Sequence, residues 1–233
     1  MIPLEYRKPH SQSKRSFNAY RLKCFLQAKW RYEHLIISLP TMSEFQVFYQ
    51  LGLEHILDKN GYDHIIFIIA LCAVYQADDW KSILVLITAF TFGHSLTLVL
   101  SALSILEIDQ KLVEFLIPIT IFITAVINIF SKTEHHHVST KGYIIASGFG
   151  LIHGLGFANY LKSLLGRDES IITQLFAFNV GLEVGQLIVV ASLLLIGFLL
   201  IEVFGVSKRD WKLVICAAVA GISAVLIIES NYF

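Results

Sequence analysis

The feature that most constrains this chain is the apolar run from about Ile171 to Val203. A helix crosses the hydrocarbon core of a bilayer with about 20 apolar residues, so the run is long enough to span. In lipid the backbone N–H and C=O groups must bond within the segment, which makes it a helix. Glu183 lies in the middle of this run, where a carboxylate costs about 2.5–3.5 kcal/mol on insertion scales. Asn179, Glu183 and Gln186 are spaced i, i+4, i+7 and share one helix face. Gly181 and Gly185 form a small-xxx-small pair that lets a neighbouring helix come close. A polar stripe on a closely packed intramembrane helix is a functional face by default.

Five more segments have the same character: Tyr62–Tyr75, Trp80 to about Leu106, Leu112–Phe130, Gly142–Leu165 and Trp211 to about Ile228. Together the six predict an all-α, polytopic membrane helix bundle of six spanning helices. Ahead of them, Glu44–Leu57 makes about 21 Å of helix, short of a hydrocarbon core about 30 Å thick. It reads as a short N-terminal amphipathic or half-inserted helix, broken at Asp58-Lys59-Asn60-Gly61. The connecting loops are short, so sequential helices are expected to pack as antiparallel neighbours. No internal repeat is visible in the sequence, and residues 42–233 read as a single transmembrane helical domain.

Composition agrees. Hydrophobic residues are 55% of the chain and charged residues 15%, a balance that suits a membrane protein and few soluble domains. Net charge is zero, so there is no electrostatic case for nucleic acid. Cys24, Cys72 and Cys216 are far apart and odd in number, which gives neither a disulfide framework nor metal-type spacing. Residues 1–41 are polar, with eight Lys or Arg between Arg7 and Arg31, and Leu35–Leu39 is too short for the apolar region of a signal peptide. Met42-Ser43-Glu44-Phe45 reads as a natural chain start, so residues 1–41 are expected to be an appended extension or a surface tail. In the six-helix arrangement one side carries Lys81, Lys132, Lys141, Lys208, Arg209 and Lys212, the other Lys111, Lys162 and Arg167. The excess of basic residues assigns the first side to the cytoplasm of a bacterial inner membrane and leaves the basic tail outside.

His94, His153 and Glu183 each fall about half way along a different predicted helix, so all three are expected near the bilayer midplane. Asp63 and His64 are expected above them, toward one face, and His55 lies near the end of the short first helix. Imidazole and carboxylate suit a first-row divalent cation such as nickel, cobalt or zinc. Ser95, Asn179 and Gln186 are placed to orient those ligands. A single intramembrane histidine is as easily a packing residue bonded to a carbonyl. Three helices bringing His, His and Glu to one depth favour a shared site over a purely structural polar network. Ser95 points about 100° away from His94 on the same helix, so the two do not pair as nucleophile and base. His135-His136-His137 is a loop cluster of low weight. The Gly150-xxx-Gly154 and Gly181-xxx-Gly185 pairs serve helices within one chain or a homo-oligomer.

Several motifs carry a resemblance. Gly52-Leu53-Glu54-His55-Ile56-Leu57, Gly61-Tyr62-Asp63-His64-Ile65-Ile66-Phe67 and Phe90-Thr91-Phe92-Gly93-His94-Ser95-Leu96-Thr97 resemble the HupE/UreJ family of small bacterial membrane proteins. Phe149-Gly150-Leu151-Ile152-His153-Gly154-Leu155-Gly156-Phe157 and Phe178-Asn179-Val180-Gly181-Leu182-Glu183-Val184-Gly185-Gln186 extend the match, which runs from about Glu44 to the end. The Asp-Lys-Asn-Gly interval is similar to the branch found in Bacteroidetes-type bacteria. Members are proposed nickel or cobalt permeases, so the resemblance implies metal handling by His55, Asp63, His64, His94, His153 and Glu183. Two other readings stay open. One is a membrane-embedded hydrolase in which zinc activates water toward a lipid or peptide. The other is a structural or assembly protein whose polar residues only join helices.

Overall fold

The computed structural model describes residues 43–58, 61–131, 140–164 and 171–230, all within one compact unit, Ser43–Phe233. The basic extension 1–41 and the His135–His137 cluster lie outside the described residues. Helix α1 is Glu44–Leu57, opened by a capping box between Ser43 and Gln46. Helix α2 is Asp63–Cys72, and a short 3-10 turn, Ala77–Asp79, leads into α3, Trp80–Ala102. Then come α4, Gln110–Phe130, capped by Asp109, and α5, Thr140–Leu164. Helix α6 is Ile171–Phe198, extended by a π-turn at Leu199–Val203, and α7 is Lys208–Glu229, capped by Ser207.

Five helices, α3 to α7, are long and apolar enough to cross a membrane by themselves. The segment expected to span from Tyr62 to Tyr75 is helical only over the 10 residues of α2, about 15 Å of rise. Phe92, Ile127, Leu195 and Val225 are more than half exposed, as an outer face meeting lipid requires.

The pairing of helices differs from the sequential antiparallel order the loop lengths suggested. The most extensive packing joins α3 to α5 and α1 to α6, pairs that are distant in sequence. Both pairs run parallel. Gly93 meets Ser147 and Leu151 while Gly154, further along α5, meets Thr97. Glu44 accepts a hydrogen bond from Gln174 at the start of α1 and α6, and Ile56 meets Gly185 further on. The reason is glycine. A Cβ added to Gly52, Gly93, Gly150 or Gly181 would come closer than 3.0 Å to backbone atoms of the facing helix, a distance real Cβ atoms do not show. In lipid no hydrophobic force draws helices together, so close backbone approach and the dispersion it allows select the pairs. Gly150, Gly154, Gly181 and Gly185 therefore all serve contacts inside this chain.

Gly150→Ala should destabilise the detergent-solubilised protein by about 1–3 kcal/mol through overpacking. Gly148 has nothing within 4 Å of an added Cβ, so Gly148→Ala should be neutral or slightly stabilising. Thermal unfolding followed by size-exclusion chromatography compares the two, and equal losses would contradict this packing.

Candidate functional site

The glycine contacts decide where the histidines go. His55 follows Gly52 by one turn of α1, His94 follows Gly93 directly on α3, and His153 follows Gly150 by one turn of α5. Each is thus carried to the point where its helix lies against a neighbour. His64, in the first turn of α2, completes the group. Ring centroids are 4.5 Å apart for His55 and His64, 5.8 Å for His55 and His94, 6.0 Å for His64 and His94, and 5.4 Å for His64 and His153. Four imidazoles from four helices form one cluster.

Their polar atoms are poorly served. His94 and His153 have no exposed surface and His64 only 5%. Among the described residues, His55 Nε2, His64 Nε2, His153 Nε2 and both ring nitrogens of His94 are buried with no hydrogen-bond partner. A buried polar group left unpaired costs about 1–3 kcal/mol, so five in one cluster are a large local expense. Two of the rings are nevertheless fixed. His153 Nδ1 lies 2.9 Å from Phe149 O, and a carbonyl only accepts, so Nδ1 carries the proton and Nε2 presents a lone pair. His64 Nδ1 lies 3.2 Å from Asp63 Oδ1, which fixes the same tautomer and charges the neighbourhood negatively. In both rings the contact at Nδ1 leaves the Nε2 lone pair free.

Aromatic rings surround the cluster. Phe157 stands 4.0 Å from His55 by ring centroids and stacks on Phe178, while Phe67 and Phe90 flank His153 at 4.7 and 5.3 Å. Sequence reasoning did not single out these phenylalanines, because an apolar residue in an apolar helix carries no signal of what it touches. Among the described residues, no three His, Cys, Asp or Glu side chains are closed about one point as a metal centre. The rings are gathered and oriented without forming a finished coordination shell.

Glu183 makes its contact elsewhere. Its Oε1 accepts a 2.7 Å hydrogen bond from the exposed Thr88 of α3. The other two residues of its stripe also face α3: Thr91 donates to Gln186 at 2.8 Å, and Ser95 Oγ lies 2.7 Å from Asn179 Oδ1. The stripe thus forms a polar seam between α3 and α6. The Ser95 hydroxyl is committed to this seam, since it also lies 2.7 Å from Thr91 O. Thr88 was missed in the sequence, although its place one turn before Thr91 put it on the same face.

His94→Leu removes two unpaired nitrogens and keeps the bulk of the side chain. The variant should be as stable as the parent in metal-free buffer, or more stable by about 1–2 kcal/mol, measured by thermal unfolding. A clear loss of stability would mean that the ring has partners the geometry does not show.

Family comparison agrees with these motifs. No curated protein and no solved structure matches the chain. The family model described as HupE / UreJ protein matches residues 31–232, most of the sequence and every helix of the bundle. By that match the chain belongs to the HupE/UreJ family.

Proposed function

We propose that this protein is a permease for a divalent transition metal, nickel or cobalt foremost, in the bacterial inner membrane. Membership of the HupE/UreJ family implies a membrane function related to transition-metal transport. The observation that carries the reading further is the set of five buried, unpartnered imidazole nitrogens. Buried away from water and unpaired, they are a cost. To a borderline cation they are ligands of suitable softness, already stripped of solvent. His55, His64, His94 and His153 supply nitrogen donors, and Asp63 supplies orientation through His64 and a compensating negative charge. Neutral imidazoles that do not close into a rigid shell suit cargo, because an ion in transit has to leave as well as bind. His55, His64, His94 and His153 hold the ion together within the bundle, and Asp63 orients His64. Glu183 serves as a further station on the α3–α6 seam, where Asn179, Gln186 and Ser95 position it.

Cells expressing the wild type should accumulate nickel or cobalt faster than cells carrying His94→Ala/His153→Ala, with both proteins present in the membrane at equal level. Equal accumulation would remove the core of the proposal. Elemental analysis separates the remaining readings. Weak, exchangeable metal supports transport, whereas one zinc per chain that resists chelation would point to a hydrolase. Binding should also weaken in acid, because each ligand must be unprotonated to bind. Titration with nickel from about pH 7.5 downward tests this, and affinity undiminished to the pH at which the protein unfolds would argue against imidazole ligation.

A further inference from the structure

The contacts of the two parallel helix pairs repeat each other residue for residue. Gly52 of α1 lies against Phe178 O and Leu182 N of α6, and Gly150 of α5 lies against Phe90 O and His94 N of α3. Gly181 of α6 meets Tyr49 O and Leu53 N, and Gly93 of α3 meets Ser147 O and Leu151 N. One turn on, Ile56 packs against Gly185, and Gly154 packs against Thr97, with the small and large partners exchanged. A single correspondence accounts for all six glycines. It equates α1 with α5 and α3 with α6, so that Gly52-Leu53-x-His55 matches Gly150-Leu151-x-His153 and Phe90-x-x-Gly93 matches Phe178-x-x-Gly181. The ring contacts follow the same rule. His55 stands 5.8 Å from Phe178, and His153 stands 5.3 Å from Phe90.

The remaining long helices fit. Helix α4 packs extensively on α7, as the self-paired third members of two halves would, and they carry Asp109-x-Lys111-Leu112-Val113 and Asp210-x-Lys212-Leu213-Val214 at their starts. Equivalent helices run in opposite directions. Ser95 pairs with Asn179 while Thr88 pairs with Glu183, so α3 and α6 are antiparallel, and Lys212 at the start of α7 donates at 2.5 Å to Ser131 O at the end of α4. The two halves are therefore inverted relative to each other.

An inverted half must cross the bilayer as often as its counterpart, and that requirement falls on α1 and α2. Helix α1 starts beside Gln174, at the beginning of α6, and runs down α6 to Gly185. Helix α2 also packs on α6, and Ile68 and Cys72 share one apolar cluster with Val190 and Leu193 further along it. Near the end of α2, Ala70 O accepts from Asn128 close to the end of α4, and Gln76 beyond it accepts from Lys208 at the start of α7. The two short helices thus run end to end from one face of the bundle to the other. Their 14 and 10 residues give about 36 Å of rise, enough for a hydrocarbon core of about 30 Å.

We propose that α1 and α2 are one membrane-crossing helix interrupted beside the histidine cluster, and that α1–α4 and α5–α7 are inverted structural repeats in which His55 and His153 are equivalent ligands. The repeat is broken where the chemistry is. His94 corresponds to the buried Leu182, and the interruption that brings in Asp63 and His64 occurs in the first half only. An ion held between His55 and His153 is held between two bodies of opposite topology, and rocking one against the other exposes it to either side in turn. The ligand assignment rests on the transport reading, whereas the topology does not.

Two measurements test it. In a background with Cys24, Cys72 and Cys216 replaced by alanine, single cysteines at Ser43→Cys, Glu107→Cys, Asp78→Cys and Arg209→Cys are labelled in intact cells with a membrane-impermeant maleimide. Phe45→Cys replaces Ser43→Cys if the latter does not insert. Ser43 and Glu107 should label from one side, Asp78 and Arg209 from the other. Labelling of Ser43 together with Asp78 would overturn the crossing and the repeat, whatever the metal results. Then nickel affinity is titrated for His55→Ala and His153→Ala. Equivalence predicts losses within about threefold of each other. A full loss with one variant and none with the other would overturn the pairing while leaving the topology intact, and loss of affinity with neither would fault the transport reading instead.

Discussion

The structure depends on backbone meeting backbone at glycine. Between lipid-embedded helices there is no water to expel, so the attraction left is close packing, helped by weak Cα–H···O contacts. Gly52 against Gly181 and Gly93 against Gly150 supply that approach in two parallel pairs. The consequence reaches beyond stability. A residue one turn from such a crossing is carried into the interior of the bundle, and in α1 and α5 that residue is a histidine. Packing and site are thus the same device, and a larger residue at Gly150 displaces His153 as it displaces the helix.

The site itself is built at a cost. Buried imidazole nitrogens without partners oppose folding, and the protein offsets them with apolar burial around Phe67, Phe90 and Phe178, none of which has more than 1% of its surface exposed. The second polar feature, the seam of Thr88, Thr91 and Ser95 with Glu183, Gln186 and Asn179, is largely satisfied within itself. The contrast is chemical. One set of polar groups is largely spent on joining two helices, and the other leaves five buried imidazole nitrogens without a hydrogen-bond partner among the described residues. It is on the second that the transport proposal rests.

Much of this was legible in the sequence because the bilayer imposes simple rules. Length and apolarity identified α3 to α7 as helices able to cross, and charged or imidazole residues inside such runs drew attention to His94, His153 and Glu183. The motifs carried the family. Local pattern could not assign partners, and for that reason Glu183 was grouped with the histidines on depth alone. Depth fixes one coordinate, and the angle round the helix axis, set by packing, decides which neighbour is met. The same limit applies to the first helix, whose end at Leu57 fixes its length and not what it packs against.

The sequence by itself determined that the chain is a helical membrane protein, which five stretches are long and apolar enough to cross a bilayer, and which residues are costly enough there to need a purpose. Those follow from transfer energy and rise per residue, quantities that each segment carries alone. Only the tertiary structure decided that α1 pairs with α6 and α3 with α5, that His55 joins His64, His94 and His153, and that Glu183 turns to Thr88. Those follow from which glycines face each other across distant segments. Such a match is a property of two surfaces together, and neither stretch of sequence contains it.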